Sequence, residues 1–452
     1  MVADAEVPLS SQPDISARLH HLRRDIQAIV AGALAGVAPD ALIERAIAEH
    51  GDELRAGGAQ EYCLIAAGKA ADPMARSFLA RAPGRCRAGV VVSPTAVATP
   101  VDGVEYFLGG HPVPTEGSVA GGRRALALAS QVQAGGRLVV LVSGGASAAM
   151  AAPVDGVSLA DKMQTTKALL RAGVAIDEIN AVRKHLSAIK GGRLAAACPG
   201  LVVAWAISDI VGPVADDPAV IGSGPTVADP STFAEALAVT TRVARTEPIP
   251  ERALAYLAAG AAGGRPETPK PGDGRLRDSH FRVVGSRSHA VEAAAQVARA
   301  RGYRVTVLEG AIVGEAREAA RAYFDRVRRA ALDRPEPQCV LSSGETTVTV
   351  TGSGRGGRNQ EFALSLVDAF ADESRVVALA SVGTDGVDGP TDAAGAVVDV
   401  KTRERARTAG LAEPDAFLAA NDAYAYFERT GDLLLTGPTG TNVADLQVFL
   451  LG

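Results

Sequence analysis

Short apolar runs rich in β-branched residues recur along this chain, each followed by a stretch of helical periodicity, and that alternation limits the fold more than any other feature. YCLIAA (62–67), AGVVVS (88–93), VEYFLG (104–109), RLVVLVS (137–143) and LVVAWAIS (201–208) are such runs, with helical stretches at 71–80, 116–132 and, as a pair, across 158–189. A strand that is apolar at consecutive positions needs cover on both faces, the setting of a parallel sheet between helical layers. A second alternating region starts at FRVVGS (281–286). It continues through a helix at 288–301, YRVTVLE (303–309), a long helix at 314–332, CVLSSG (339–344), TTVTVT (346–351), a helix at 359–370 and VVALASVG (376–383). The period-two alternation of TTVTVT predicts a strand of its own, with one wetter face, antiparallel to its neighbours. Residues 15–55 read as helical, with Pro39 opening the second of two segments.

The chain therefore reads as α/β, in two α/β domains over 1–265 and 280–452, with the Pro/Gly-rich, charged stretch 263–279 as a linker or exposed excursion. With 452 residues, 47% hydrophobic and 21% charged, it can bury sizeable cores. A net charge of −5 and 4% aromatic residues, with a single Trp, argue against a nucleic-acid partner. Cys63, Cys86, Cys198 and Cys339 form no CxxC pair, which speaks against a disulfide framework or zinc site and for a reducing cytoplasm. The opening MVADAEVPLSSQPDIS carries acidic residues and Pro where a secretory leader needs a basic, then apolar, start, and no segment reaches the roughly 20 apolar residues of a membrane span.

Polar, glycine-rich loops stand at the ends of several apolar runs. Ser143-Gly144-Gly145-Ala146-Ser147 follows one; free N–H groups at a following helix start attract phosphate or carboxylate, although a plain strand-to-helix turn needs the same glycines. Lys69, in AAGKAA (66–71), either snorkels to water or meets an anion at the sheet edge; GxxxxGK[ST] is absent. Arg183, Ser187 and Lys190 are spaced to share one helix face before Gly191-Gly192 and Arg193, a grouping that suits a phosphate-bearing ligand or a solvated basic face. Asp209 ends a strand, where carboxylates meet metal or substrate or cap the next segment. Gly352, Gly354 and Gly357 formally spell GxGxxG, but the Thr-alternating run before them and the flanking Arg355 and Arg358 fit transferring phosphates better than a dinucleotide. Thr384, Asp385, Asp388 and Asp392 fall in one loop able to hold a divalent cation, and Thr439 lies in TGPTGTN (436–442). Cations, hydroxyls and carboxylates together are what phosphoryl transfer requires.

The stretches AAGKAA (66–71), GGHPVP (109–114), VSGGAS (142–147), RKHLSAIKGGRLA (183–195), IGSGPTVADP (221–230), GETTVTVTGSGRGGRNQEF (344–362), GTDGVDGPTDAAGA (383–396) and TGPTGTN (436–442) resemble, in order, the glycerate 2-kinase family with its C-terminal MOFRL domain, often labelled hydroxypyruvate reductase. The resemblance implies a Rossmann-like, mostly parallel first domain, a smaller mixed α/β second domain, and an active site in the cleft between them. It implies ATP- and Mg²⁺-dependent phosphorylation of the 2-hydroxyl of D-glycerate to 2-phosphoglycerate. The catalytic Lys and Arg of the family map to Lys69 and Arg358. Departures are Ala146 within the Ser-Gly-Gly loop, Thr115-Glu116 after HPVP, and about three extra residues, Pro213-Val214-Ala215, after Asp209.

The resulting expectation is a cytoplasmic enzyme, with a homodimer as one conceivable assembly, acting on ATP and a small hydroxy acid and engaging neither nucleic acid nor membrane. Lys69 and Arg358 stabilise the transferring group, and Asp209 is the base. Asp209 or Asp385 holds Mg²⁺, while Ser143, Gly144, Gly145, Ser147, Lys190, Arg193, Gly357, Asn359, Thr384 and Thr439 contact the substrates. Two other readings stand beside it: an NAD(P)H-dependent hydroxypyruvate reductase using Gly352–Gly357, and a ligand-binding protein without turnover.

Overall fold

The computed structural model describes residues 15–55, 60–332, 334 and 336–452; the N-terminal stretch judged above for a leader falls outside them through residue 14. Two helices come first, α1 (Ile15–Gly36) and α2 (Pro39–His50), the latter opened by Pro39, whose fixed φ suits a first helical position. The chain forms two compact units. The parallel unit comprises Gly36–His289 and Thr439–Ala444; the mixed unit comprises the described residues through Ala35, Ala290–Pro438 and Asp445–Gly452.

In the parallel unit, β1 (Glu61–Ala67), β2 (Arg85–Ser93), β3 (Val104–Leu108), β4 (Arg137–Val142), β5 (Leu201–Ile207) and β6 (Ser279–Gly285) form one sheet in the order β3-β2-β1-β4-β5-β6, every pair parallel. The central strands β1, β4 and β5 are buried at almost every residue, as continuous apolar runs require. On one face Phe78 of α3 (Ala71–Arg81) lies edge-on to Tyr62 and Trp205, with ring centroids 5.6 Å apart in each pair. On the other, Ile65, Val140 and Val142 pack on Ala125, Leu128 and Ala129 of α4 (Glu116–Ser130). Each buried Ile, Val, Leu or Phe among them contributes about 1.5–3 kcal/mol of transfer free energy. Thr115 is the N-cap of α4 in a reciprocal capping box with Ser118, a local use for that residue after HPVP.

Further along lie α5 (Ala146–Ala149), α6 (Leu159–Arg171), α7 (Ile176–His185), α8 (Arg193–Ala196), α9 (Phe233–Val243) and α10 (Glu251–Ala261). The shared helix face expected of Arg183, Ser187 and Lys190 does not exist, because α7 ends at His185 and Ser187 instead bridges Pro153. Nor is 263–279 a free linker. Thr268 is buried and donates to Asp229 Oδ2 (3.0 Å), Glu267 Oε1 accepts the N–H of Phe233 at the start of α9 (2.8 Å), and Glu267 Oε2 pairs with His185 Nε2 (3.0 Å).

The mixed unit holds β7 (Arg304–Val307), β8 (Ile312–Glu315), β9 (Gln338–Thr347), β10 (Val377–Gly383), β11 (Gly395–Asp399), β12 (Leu433–Leu434) and β13 (Asp445–Leu451). The sheet runs β12-β11-β10-β13-β9-β7, with β8 also on β9; β7 and β8 lie parallel to β9 and the other pairs are antiparallel. The helix predicted at 314–332 starts later, since Ile312–Glu315 pairs with Gly344–Thr347; α12 covers Ala316–Val327, and one wider turn follows. TTVTVT is not a strand of its own: Thr346 and Thr347 finish β9 and the following residues leave the sheet. One face is covered by α1 and α11 (Arg287–Ala300), where Leu22, Ile26, Ile29 and Ala33 meet Ala294 and Ala298. That stripe is why α1 packs with the C-terminal half of the chain rather than with the stretch that follows it. Asp25 accepts from Arg301 and from Tyr303 Oη (2.7 Å), fixing α1 in place. The other face carries α12 and α13 (Arg358–Leu364), with Tyr323 stacked edgewise on Phe362. Among the described helices no single one is long and apolar enough to cross a membrane.

Candidate active site

The strand order reverses between β1 and β4, and in open parallel sheets ligands bind outside the carboxyl ends at that reversal. The loops leaving these two strands are tied together. Ser143 N–H donates to Ala67 O (3.0 Å), Lys69 N–H to Gly144 O (2.9 Å), and Ala70 N–H to Ser143 Oγ (2.9 Å). Gly68 sits at φ +117° with Ser143 against its Cα, so no side chain fits there. This contact leaves the Lys69 side chain exposed at the mouth of the crevice. Gly145, at φ +81°, lets the backbone pass beneath His111 and Lys69; a Cβ there would lie 2.8 Å from His111 Cδ2 and 3.3 Å from Lys69 Cγ. Burial and then the Lys69 charge lower the His111 pKa, favouring the neutral imidazole.

From the next strand, Asp209 brings its carboxylate against Gly144, and Asn442 Nδ2 donates to Asp209 Oδ2 (3.2 Å). Deeper in, Ser147 Oγ accepts from Arg183 Nη2 (2.6 Å) and from Lys190 Nζ, and is 2.8 Å from Ser223 Oγ. Lys190 Nζ also donates to Ser147 O (2.6 Å) and reaches Ser223 Oγ (3.5 Å). Lys162 donates to the Arg183 and Leu186 carbonyls, each at 3.2 Å, at the end of α7. Burial, then neighbouring positive charge, pushes Lys162 down to about 7 and Lys190 well below the usual lysine range; burial lowers Arg183. No carboxylate among the described residues pairs with Arg183, Lys162 or Lys190. Arg193 is turned away, donating to the Lys184 and Ser187 carbonyls, and Thr439 Oγ1 donates to Thr441 O within the loop that carries Asn442.

The remaining expected residues lie in the mixed unit around the start of α13. Arg358 donates through Nε and Nη2 to Asp445 (2.8 and 3.0 Å) and through Nη1 to Glu345 (2.8 Å). Asn359 Nδ2 donates to Asp445 Oδ1 (3.0 Å), and its Oδ1 accepts from Ser381 Oγ (2.7 Å). Asp388 accepts the N–H groups of Asn359 and Gln360 (3.0 and 2.9 Å). Burial pushes Asp445 up to about 7 and Asp388 up to about 6, against the pull of Arg358 and of the donors; those carboxylates hold Arg358 above its ordinary value in spite of burial. Gly357 abuts Asp388, and Thr384 is buried.

The aspartates of the 384–392 loop do not converge as a cation site. Asp388 turns to α13, Asp392 accepts from Tyr424 Oη (2.8 Å), and Asp385 Oδ1 accepts from Val387 N–H (3.2 Å). Among the described residues no three His, Cys, Asp or Glu side chains gather to hold a metal. Mg²⁺ usually takes one or two carboxylates completed by water and substrate phosphate, a mode that a single carboxylate such as Asp209 can serve. The GxGxxG spelling does not make a dinucleotide cradle. β9 ends at Thr347, short of the loop, and the N–H groups of Thr351, Gly352, Gly354 and Arg355 are spent on Asn421, Ala420 and Asp422. Sequence reasoning missed His111, Lys162 and the link from Asn442 to Asp209. A lone His, a Lys within an amphipathic helix and an Asn in a loop carry no signal of such partners.

Residues 25–258 match the family described as a domain of unknown function (DUF4147), and residues 338–445 match the MOFRL family. A D-glycerate 2-kinase of Thermotoga maritima is 39% identical over 86% of this chain and 90% of its own. A chain of Agrobacterium vitis, named only provisionally as a hydroxypyruvate reductase, is 42% identical over 86% of this chain and 87% of its own. The crystal structure of glycerate kinase from Thermotoga maritima superposes with a TM-score of 0.85 at 36% identity, covering 96% of this chain and 100% of the other. With both family matches in order and near-complete mutual coverage, the chain belongs to the DUF4147–MOFRL family of glycerate kinases.

Proposed function

We propose that the protein transfers the γ-phosphoryl group of ATP to the 2-hydroxyl of D-glycerate, or of a closely related small hydroxy acid, giving 2-phosphoglycerate and ADP. The observation that carries this reading is the meeting of Lys69, the Ser143–Ser147 loop and Asp209 at the strand-order reversal of the parallel sheet. Lys69 is exposed at the crevice mouth and supplies positive charge to the transferring group. Asp209, oriented by Asn442, accepts the proton of the acceptor hydroxyl or holds Mg²⁺. When bound with the nucleotide, Mg²⁺ neutralises charge on the phosphates. Arg358, held by Asp445 and Glu345, is the further positive group assigned to phosphoryl transfer. The rate then comes from positioning and electrostatics rather than covalent chemistry. Four free thiols accord with a cytoplasmic setting.

The test is ADP release with D-glycerate, ATP and Mg²⁺, with the product phosphate located by NMR. Lys69→Met and Asp209→Asn are each expected to lower kcat by about 100-fold or more. Oxidation of NADH with hydroxypyruvate, and no ADP release, would replace this reading with a reductase.

A further inference from the structure

We propose that Arg183 is the grip for the carboxylate of the acceptor, the group that makes the enzyme choose a hydroxy acid over a neutral alcohol. The inference rests on the kinase reading above and names a residue which that reading leaves unassigned. The surroundings of Arg183 single it out. Its guanidinium carries five N–H donors, of which one is engaged, on Ser147 Oγ at 2.6 Å. Its basic neighbours are Lys162, whose Nζ lies on the Arg183 carbonyl, and Lys190, whose Nζ shares Ser147 Oγ, both buried. Burial and the neighbouring positive charge push both lysines toward their neutral forms, which leaves Arg183 as a largely enclosed guanidinium with no acid among the described residues paired to it, an electrostatic cost. A bound anion offsets it, and a planar guanidinium matches a planar carboxylate through two parallel hydrogen bonds.

The two lysines cannot take this role. Lys190 Nζ is fully engaged by Ser147 O, Ser147 Oγ and Ser223 Oγ, so it holds the serine rather than a ligand. Lys162 is spent on the carbonyls of Arg183 and Leu186 and thereby fixes the end of α7 from which Arg183 projects. The position also selects the carboxylate over the nucleotide's phosphates. Ser147 belongs to the same short loop as Gly144, which touches the Asp209 carboxylate. A small acid seated on Arg183 and Ser147 therefore lies in the same loop's reach as Asp209. Lys69 is exposed, on the side open to a nucleotide, whereas Arg183 is largely enclosed beside the fully buried Lys190.

Steady-state kinetics of Arg183→Met test this. KM for D-glycerate is expected to rise by about 30-fold or more, the range of a lost charge-assisted pair, while KM for ATP stays within about threefold. Glyceramide, which keeps the hydroxyls and lacks the carboxylate, is expected to be turned over equally poorly by the variant and the parent. A merely structural role would depress both acceptors alike, and that result overturns the proposal, as does a KM rise that falls on ATP. Should Arg183→Met fail to fold, Ser147→Ala provides the same comparison, with a rise of about 5- to 10-fold for the acid alone. If the parent enzyme releases no ADP with any small hydroxy acid, the kinase reading fails separately, and calorimetry with D-glycerate decides the grip. Binding by the parent and not by Arg183→Met upholds it; equal binding, or none to either, overturns it.

Discussion

Gly144→Ala isolates the geometry of the candidate site from its chemistry. A Cβ at this position would lie 2.9 Å from Asp209 Cγ, with the carboxylate oxygen nearer still. Carbon atoms rest comfortably at about 3.5–4.0 Å, so the carboxyl group must retreat by about 1 Å. Gly144 is absent from the residues at positive φ, so alanine meets no backbone strain there. The side chain that must give is one residue hydrogen-bonded to Asn442, not the sheet, so the stability loss should stay near 1 kcal/mol. Activity should suffer far more: a misplacement of about 1 Å in a reacting group costs about 100-fold, or about 2.7 kcal/mol of barrier. The assay is kcat with saturating ATP and D-glycerate, beside a thermal melt. A double-mutant cycle with Asp209→Asn completes it, because a glycine acting only through Asp209 should cost nothing further once that carboxylate is gone. Full activity in Gly144→Ala, or effects of the two substitutions that multiply, would refute the reasoning.

Two further outcomes concern stability. Asp388 is raised from 3.8 to about 6 in the folded state, so the native protein binds its proton more tightly than the unfolded chain. Its contribution is full below the unfolded value and is lost as pH rises through about 6, on the order of 3 kcal/mol at the limit. Denaturant midpoints across that window should therefore fall less steeply in Asp388→Asn than in the parent, although Asp445 titrates in the same direction; equal slopes would contradict the assignment. Glu267 behaves oppositely. Burial alone would raise it, but the Phe233 amide, His185 and Lys270 hold it down to about 2, so its stabilisation is present above about 4.5 and fades as pH falls toward 2. Glu267→Ala should cost about 2 kcal/mol near neutral pH, from a lost hydrogen bond at the start of α9 and the lost contacts to His185 and Lys270, read by urea unfolding. A neutral result would return 263–279 to the status of a linker.

Much of the fold is legible in the residues alone. A strand buried on both faces must be apolar at consecutive positions, and 62–67, 88–92, 138–142 and 201–207 are, so the parallel sheet can be read directly. The turn glycines and the Lys69 and Asp209 positions at strand ends are legible for the same local reason, since the loop after a buried strand is placed by its neighbours in sequence. Periodicity, however, tells which face of a segment is buried and never against what. The apolar stripe of α1 is visible, yet only the folded chain joins it to α11 more than 250 residues later. β8 looks helical until its partner, the end of β9, is in place. Charge obeys the same rule. Three aspartates in one loop suggest a cation, and the fold sends them to three different partners. Arg183 looks like one of several surface cations, and the fold carries it across 36 positions to Ser147 and withdraws water and counter-charge from it. Sequence lists the charged groups; desolvation, which sets what each is worth, belongs to the tertiary structure.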